Sequence, residues 1–282
     1  MNPRTVTTEI DPEKCIGCGS CITVCPSETI ELIDGVARVT GDRSLSCGHC
    51  AGVCPENAIR VKALDPEMSR FETFDVKTKW LEFGTSSTSD LVQLMASRRS
   101  CRNYKDSAID AGTLSDLIKI GALAPSGTNS QDWTFTCLPD RAVVLGYAHL
   151  IKDFFKALNK KADNTWLRKG MALFGMKDLD NYYKEYYDSV NEAMTDMEEN
   201  GNDRLFHGAT ACILIGTGPD ATCPKEDAIL AASNIILAAH TMGLGSCMIG
   251  FAVSAMKNDG TIQTNIGIPA KEKIHAVIAL GY

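Results

Sequence analysis

Alternation of apolar and polar residues divides the chain before any motif is read. The runs Thr5–Ile10, Ile30–Ile33, Val36–Val39 and Ala58–Val61 alternate over a few positions each and predict short β-strands. Helical turns are expected after Cys18 and Cys50. Residues 65–87 read as a connector: Asp65-Pro66-Glu67 breaks any helix, the stretch from Gly84 is turn-rich, and Phe71, Phe74 and Trp80 are expected to pin it to a surface. Beyond it the period lengthens. Helices are predicted at Asp90–Arg98, opened by Ser89 or Asp90, at Leu114–Ala122, at Ala142–Lys160 and at Glu226–Met242. The last is apolar on nearly all sides, as in a helix at a domain centre or a subunit interface. Between 181 and 199, Tyr183, Tyr187, Val190, Met194 and Met197 recur at helical spacing and predict a core or a lid. Strands are predicted at Trp133–Leu138, Thr210–Gly216 and Lys273–Leu280. The fold class is α+β, with a small first domain over 1–64 and a larger one over 88–282.

Composition narrows the class. The chain has 282 residues, 44% hydrophobic and 22% charged, with net charge −7. Acidity is spread along the chain and there is no basic arm, so nucleic acid is not an expected partner. The N-terminus has no apolar leader core, and the most apolar stretch, Ala228–Met242, is broken by Ser233, Asn234 and His240, so no membrane partner is expected and the cytoplasm is the default location.

Cysteine placement changes the picture most. Of 12 cysteines, those at 15, 18, 21, 25, 47, 50 and 54 fall in two tight runs. The first, Cys15-x2-Cys18-x2-Cys21-x3-Cys25-Pro26, has the spacing of the bacterial ferredoxin run, in which three thiolates grip one iron–sulfur cubane and the fourth reaches a second. The second, Cys47-x2-Cys50-x3-Cys54-Pro55, has Ser44 where its first cysteine would stand. Residues 9–33 and 38–62 thus repeat each other, as in a two-cluster ferredoxin module whose clusters act as staples. That resemblance implies Cys15, Cys18, Cys21 and Cys54 on one 4Fe–4S cluster, and Cys25, Cys47 and Cys50, with Ser44 in the vacant register, on the other. The second cluster is then a four-iron cube with a non-cysteine ligand, a three-iron cluster, or absent. Cys101, Cys137, Cys212, Cys223 and Cys247 are scattered and read as small buried hydrophobes.

Three further segments carry chemistry only together. Arg98-Arg99-Ser100-Cys101-Arg102 offers guanidinium forks and a hydroxyl suited to phosphate, although alone it is equally a solvated basic turn. Pro125-Ser126-Gly127-Thr128-Asn129-Ser130-Gln131 offers a tight turn and two carboxamides that can meet the donor–acceptor edge of a flavin, or is a plain polar loop. Gly243, Gly245 and Gly250 let backbone approach a flat ligand, or mark a helix cap and strand. In this order the three resemble the nitroreductase family of FMN-dependent α+β enzymes, generally homodimers, over roughly residues 88–282. The whole layout resembles a ferredoxin–nitroreductase fusion.

By that resemblance Arg98, Arg99, Ser100 and Arg102 hold the FMN phosphate, ribityl chain and pyrimidine edge, Pro125, Ser126, Asn129 and Gln131 flank the flavin, and the backbone of Ile249 and Gly250 faces N5. Arg102 is the candidate for stabilising the anionic reduced flavin, and no side chain is assigned as general acid. Many relatives add a cationic tail after the final strand. Here the closing strand runs into Gly281-Tyr282, which leaves the phosphate to the arginines and implies a less interlocked dimer. His207 and His240, on apolar stretches, read as core residues. The resemblance implies an oxidoreductase that passes electrons between the clusters and FMN to a small acceptor such as a nitroaromatic or quinone, with an external ferredoxin or NAD(P)H as donor. Flow in the opposite direction, to an external carrier, and a non-catalytic redox sensor are the other readings. Substrate selectivity is expected from helices within 146–204.

Overall fold

The computed structural model describes residues 5–77 and 81–282. Trp80 lies outside the described residues, while Phe71 and Phe74 stack on each other at 4.6 Å. The chain separates into two compact units: residues 1–86 with Ser126–Ser130, and residues 87–125 with 131–282.

The first unit carries two antiparallel ribbons. Strand β1 (Thr8–Ile10) pairs with β4 (Ile59–Val61), and β2 (Ile30–Ile33) pairs with β3 (Val36–Val39). The β2–β3 turn is Asp34-Gly35, both at positive φ (51° and 79°), as a tight right-twisting hairpin requires. The first and last strands are shorter than the alternation predicted. One-turn helices α1 (Ser20–Thr23) and α2 (His49–Gly52) lie beside the ribbons. Helix α2 begins before Cys50, not after it, because Gly48 in the left-handed region turns the chain at that point (φ 72°). The buried core is Cys21, Ile30, Ala37 and Ile59 with a few half-buried neighbours. So small a core leaves the cysteines and whatever they bind as the main cross-links.

The second unit is a four-stranded antiparallel sheet in the order β5-β6-β8-β7, covered on both faces. Its strands are β5 (Trp133–Leu138), β6 (Ala211–Thr217), β7 (Gly245–Met248) and β8 (Lys273–Gly281). Every residue of β6 is buried. Alternate side chains serve two cores: Cys212 and Leu214 point to one, Ala211, Ile213 and Ile215 to the other.

On one face α4 (Ala111–Gly121) packs against α9 (Pro224–Thr241). Gly121 permits their close approach, since a Cβ there would lie 2.8 Å from Ile235. Helix α9 buries Ala228, Ala231, Ala232, Ile235 and Ala239 but leaves Ile229 and Leu230 exposed, so one side is covered and the other is not. The opposite face carries α5 (Arg141–Ala162), α8 (Tyr187–Asn200), α10 (Gly250–Asn258) and α11 (Gly260–Asn265) around Tyr147, Ile151 and Phe206.

Helix starts fall where a side chain can accept an orphan amide. Ser87, rather than Ser89 or Asp90, caps α3 (Thr88–Ser97) by accepting from the Asp90 N–H, and Asp110 and Asp140 cap α4 and α5. The periodic stretch 181–199 is not one helix. It breaks at Tyr186 between α7 (Asp178–Glu185) and α8, with α6 (Thr165–Leu173) ahead of them. Val190, Met194 and Met197 join the core, whereas Tyr183 pairs with Tyr187 at 4.7 Å under the Arg168 guanidinium. Among the scattered cysteines Cys212 and Cys247 are buried, but Cys101, Cys137 and Cys223 are only half-buried.

Candidate functional site

The cysteines of the first unit line two small voids. Cys15, Cys18, Cys21 and Cys54 face one of about 20 Å³, and Cys25, Cys47 and Cys50, together with Ser44, face another of about 20 Å³. The last cysteine of each run, Cys25 and Cys54, therefore crosses to the other run's void. Among the described residues no three His, Cys, Asp or Glu side chains sit close enough to share a single metal ion. The thiols surround a space instead.

Backbone amides already point at sulfur: Ala37 N–H donates to Cys15 Sγ at 3.4 Å and Ala58 N–H to Cys54 Sγ at 3.3 Å. Such bonds favour the thiolate and tune a cluster's potential. Burial pushes the Cys21 and Cys50 thiols up, while the Ser20 hydroxyl pulls Cys18 down. Four thiols, a void and two amide bonds fit an iron–sulfur cluster at the first site, and three thiols with Ser44 around a void fit one at the second.

In the second unit a cavity of about 1220 Å³ opens above the junction of β7 and α10. Its walls come from α5 (Phe154, Phe155), α7 with the break after it (Tyr182, Tyr186), and the loop before β6 (Leu205, His207). Phe251 makes edge contacts with Phe155 and Tyr186, both at 5.5 Å, so three rings form an aromatic corner. Tyr182 donates to Asn159 Oδ1 at 2.6 Å, and burial raises its phenol to about 12. The volume exceeds the ~300–1000 Å³ usual for a single small ligand, leaving room for a flat cofactor and an acceptor.

Of the nitroreductase-like candidates, Arg102, Ile249 and Gly250 line this cavity. The Ile249 N–H, however, donates to the Val277 carbonyl at 2.8 Å, which takes it away from a flavin. The amide that remains there belongs to Gly250, the first residue of α10, whose N–H has no intrahelical acceptor. An added Cβ at Gly250 would meet nothing within 4 Å. Gly245 has a different reason to be glycine: a Cβ there would lie 2.8 Å from Cys101, so it admits the 100–104 segment beside β7, not a ligand. Ser100 bridges Ser246 in parallel and the Cys101 N–H donates to the Ser246 carbonyl at 2.9 Å, which sets Arg102 at the cavity.

The other candidates lie elsewhere. Arg98 caps the end of α3, and the Arg99 guanidinium folds back onto the Ala96 and Arg98 carbonyls. Pro125 is exposed, as is Gln131, which sits at positive φ. Ser126 and Asn129 belong to the first compact unit, where Asn129 Nδ2 donates to the Leu45 carbonyl at 2.9 Å.

Sequence reading missed His207. Its ring lines the cavity, and burial together with the nearby Arg102 charge lowers its pKa. Its backbone is left-handed (φ 57°), held by an aspartate upstream. Asp203, with its side chain 1% exposed, accepts from the Leu205 and Phe206 N–H groups (3.0 and 2.8 Å) and pairs with Arg141 at 2.7 Å. The Asp203-x-Leu205-Phe206-His207-Gly208 spacing, with an acid capping a turn ahead of a glycine, was the available signal.

The nitroreductase family profile matches residues 95–282, and a 4Fe–4S dicluster domain profile matches residues 8–61. A putative NADH dehydrogenase/NAD(P)H nitroreductase of Archaeoglobus fulgidus is 22% identical over 198 residues, covering 68% of this chain and 85% of the relative. Two shorter matches cover less than two thirds of their relatives: an iodotyrosine deiodinase of Haliscomenobacter hydrossis (28% identical, 29% of this chain, 37% of the relative) and ferredoxin-2 of Desulfomicrobium norvegicum (57% identical, 10% of this chain, 48% of the relative). Among solved structures, an FMN-bound nitroreductase of Bacteroides fragilis overlaps with TM-score 0.49 at 20% identity, covering 69% of this chain and 89% of the other. Among the described residues no helix is long and apolar enough to cross a membrane. The profile matches cover both units, and the chain belongs to the nitroreductase family, as an oxidoreductase with a 4Fe–4S dicluster domain ahead of its nitroreductase domain.

Proposed function

We propose that the protein passes electrons between two iron–sulfur clusters and FMN and reduces a small flat acceptor, a nitroaromatic or a quinone. The observation that carries the proposal is the aromatic cavity of about 1220 Å³, with Arg102 and Gly250 on its wall, in a chain that also holds two cysteine-lined voids. Bound there, FMN would supply chemistry that turns single electrons into two-electron reduction.

The chain's own residues position and charge the site. Arg102 brings a positive charge to the wall beside His207, where it favours an anionic reduced ring. The Gly250 amide at the start of α10 offers a hydrogen bond and the positive end of the helix. Phe155, Tyr186 and Phe251 present ring faces and edges to a planar acceptor. A quinone takes two electrons and two protons to the quinol; a nitro group takes the same to a nitroso group and water. Arg98, Arg99 and Ser100, in the same segment as Arg102, supply the phosphate contacts in this reading, and a homodimer is its assembly. Cys15, Cys18, Cys21 and Cys54 hold a 4Fe–4S cluster, while the second cluster has only three thiolates. Exposed Cys18 and Cys47 suit a reducing, cytoplasmic compartment.

The donor is an external ferredoxin or NAD(P)H. The Archaeoglobus fulgidus relative's description favours keeping the reversed route as a second reading, in which NAD(P)H feeds FMN and electrons leave through the clusters. Anaerobic purification with flavin extraction and an iron count, then acceptor turnover with reduced ferredoxin or NADH, tests both. Rapid flavin bleaching by NADH but not by ferredoxin selects the second. A protein without iron and without flavin ends both.

A further inference from the structure

The two cysteine loops share one backbone. In the first, Gly17 and Gly19 sit in the left-handed region at φ 69° and 76°, and the run ends with Glu28 at φ 50°. In the second, Ser46 and Gly48 sit there at φ 51° and 72°, and Asn57 ends it at φ 50°. Position by position Ser46 stands for Gly17, Gly48 for Gly19, and Ser44 for Cys15. Ser46 is 4% exposed and keeps a conformation that costs a non-glycine residue energy. The shape of the ligand loop is thus retained where glycine is not.

Ser44 is also fixed in place. Ser46 N–H donates to Ser44 Oγ at 3.0 Å, Thr29 Oγ1 donates to the Arg43 carbonyl, and Asn129 Nδ2 donates to the Leu45 carbonyl at 2.9 Å. The serine lines the same void of about 20 Å³ as Cys25, Cys47 and Cys50. An amide bond to Oγ stabilises negative charge on that oxygen, as a metal-bound alkoxide needs.

We propose that Ser44 Oγ is the fourth protein ligand of the second cluster, and that this oxygen-held corner is where the cluster exchanges iron. The proposal deepens the proposed function by assigning different chemistry to its two clusters. The corner iron leaves as Fe2+ when the rest of the cluster is oxidised, and a hard oxygen donor holds that softer ion less firmly than a thiolate does. Oxidation by a one-electron oxidant such as ferricyanide then gives [4Fe–4S]2+ → [3Fe–4S]+ + Fe2+ + e−, the electron reducing the ferricyanide. The cluster held by Cys15, Cys18, Cys21 and Cys54 has no such corner.

The test uses the full chain, purified anaerobically, as wild type, Ser44→Cys and Ser44→Ala, with an iron count, Mössbauer spectra and EPR before and after ferricyanide. Wild type is expected to lose about one iron per chain and gain a three-iron EPR signal. Ser44→Cys should keep its iron and show no such signal, with a shifted second-cluster potential. Ser44→Ala should show the three-iron signal before any oxidant. The first cluster should be the same in all three. Identical iron counts and spectra in wild type and Ser44→Ala overturn the proposal, and so does a wild type with the first cluster full and the second site empty. Absence of all iron and flavin would instead end the proposed function itself.

Discussion

Cys15, Cys18 and Cys21 reach their void from one short loop, whereas the aromatic cavity gathers side chains from Arg102, α5, α7, the loop at His207 and the start of α10. In the first case the spacing of ligands along the chain is itself the geometry, because a left-handed glycine between successive cysteines turns each toward one centre. In the second, neighbours in space are distant in sequence, and the sheet has to form before the wall exists. The two regions also differ in what holds them up. The first unit buries few side chains around its voids. The second has a two-sided sheet with β6 wholly buried.

Substitution of Cys54 bears hardest on this contrast. By sequence Cys54 belongs to the second run, but it lines the first void. Cys54→Ala should abolish the all-cysteine cluster, leave the second, and destabilise the first unit, read by Mössbauer spectra and circular dichroism. Loss of the second cluster alone would show that each loop is self-contained. Next in size, Asp203→Asn removes the charge that holds Arg141 and weakens a turn resting on two amides. It should cost about 2–4 kcal/mol of the second unit's stability and disturb His207, with the iron signals unchanged in a denaturant titration followed at two wavelengths.

Arg102→Ala should weaken FMN binding by about tenfold or more while both clusters stay loaded, since a charge-assisted bond is worth roughly 1.5–3 kcal/mol. Flavin affinity measured by fluorescence decides it, and unchanged affinity would move the phosphate and ring edge away from this wall. The smallest effect is with pH. Burial first, and Arg102 second, lower the His207 pKa in the fold. The folded state therefore binds its proton less readily than the unfolded chain, so His207's contribution is present above the ordinary histidine value of about 6.5 and is lost as pH falls through and below it. His207→Gln should flatten the melting-temperature profile there. His275, lowered by burial as well, remains as the background slope.

Legibility followed the same division. The strands at 30–33 and 36–39 and the cysteine spacing were readable because each depends on residues a few positions apart. Helix ends slipped where a cap lay further upstream, as at Ser87, or where a turn interrupted the period, as at Tyr186. Ile249 was assigned an amide that Val277, from a strand far along the chain, accepts. His207 was read as core because its left-handed backbone, which turns it to the cavity, leaves no periodic trace.

The sequence by itself determined the family, the two domains' chemistry and the seven thiols, since ligand type and short spacing are local properties of the chain. The tertiary structure brought the thiols grouped by the ferredoxin resemblance around shared voids, with Ser44 beside Cys25, Cys47 and Cys50, and it alone decided which amide and rings face the cavity. Those facts arise from strand pairing and side-chain packing between residues far apart in the chain, and non-local contacts of that kind are fixed by the fold as a whole.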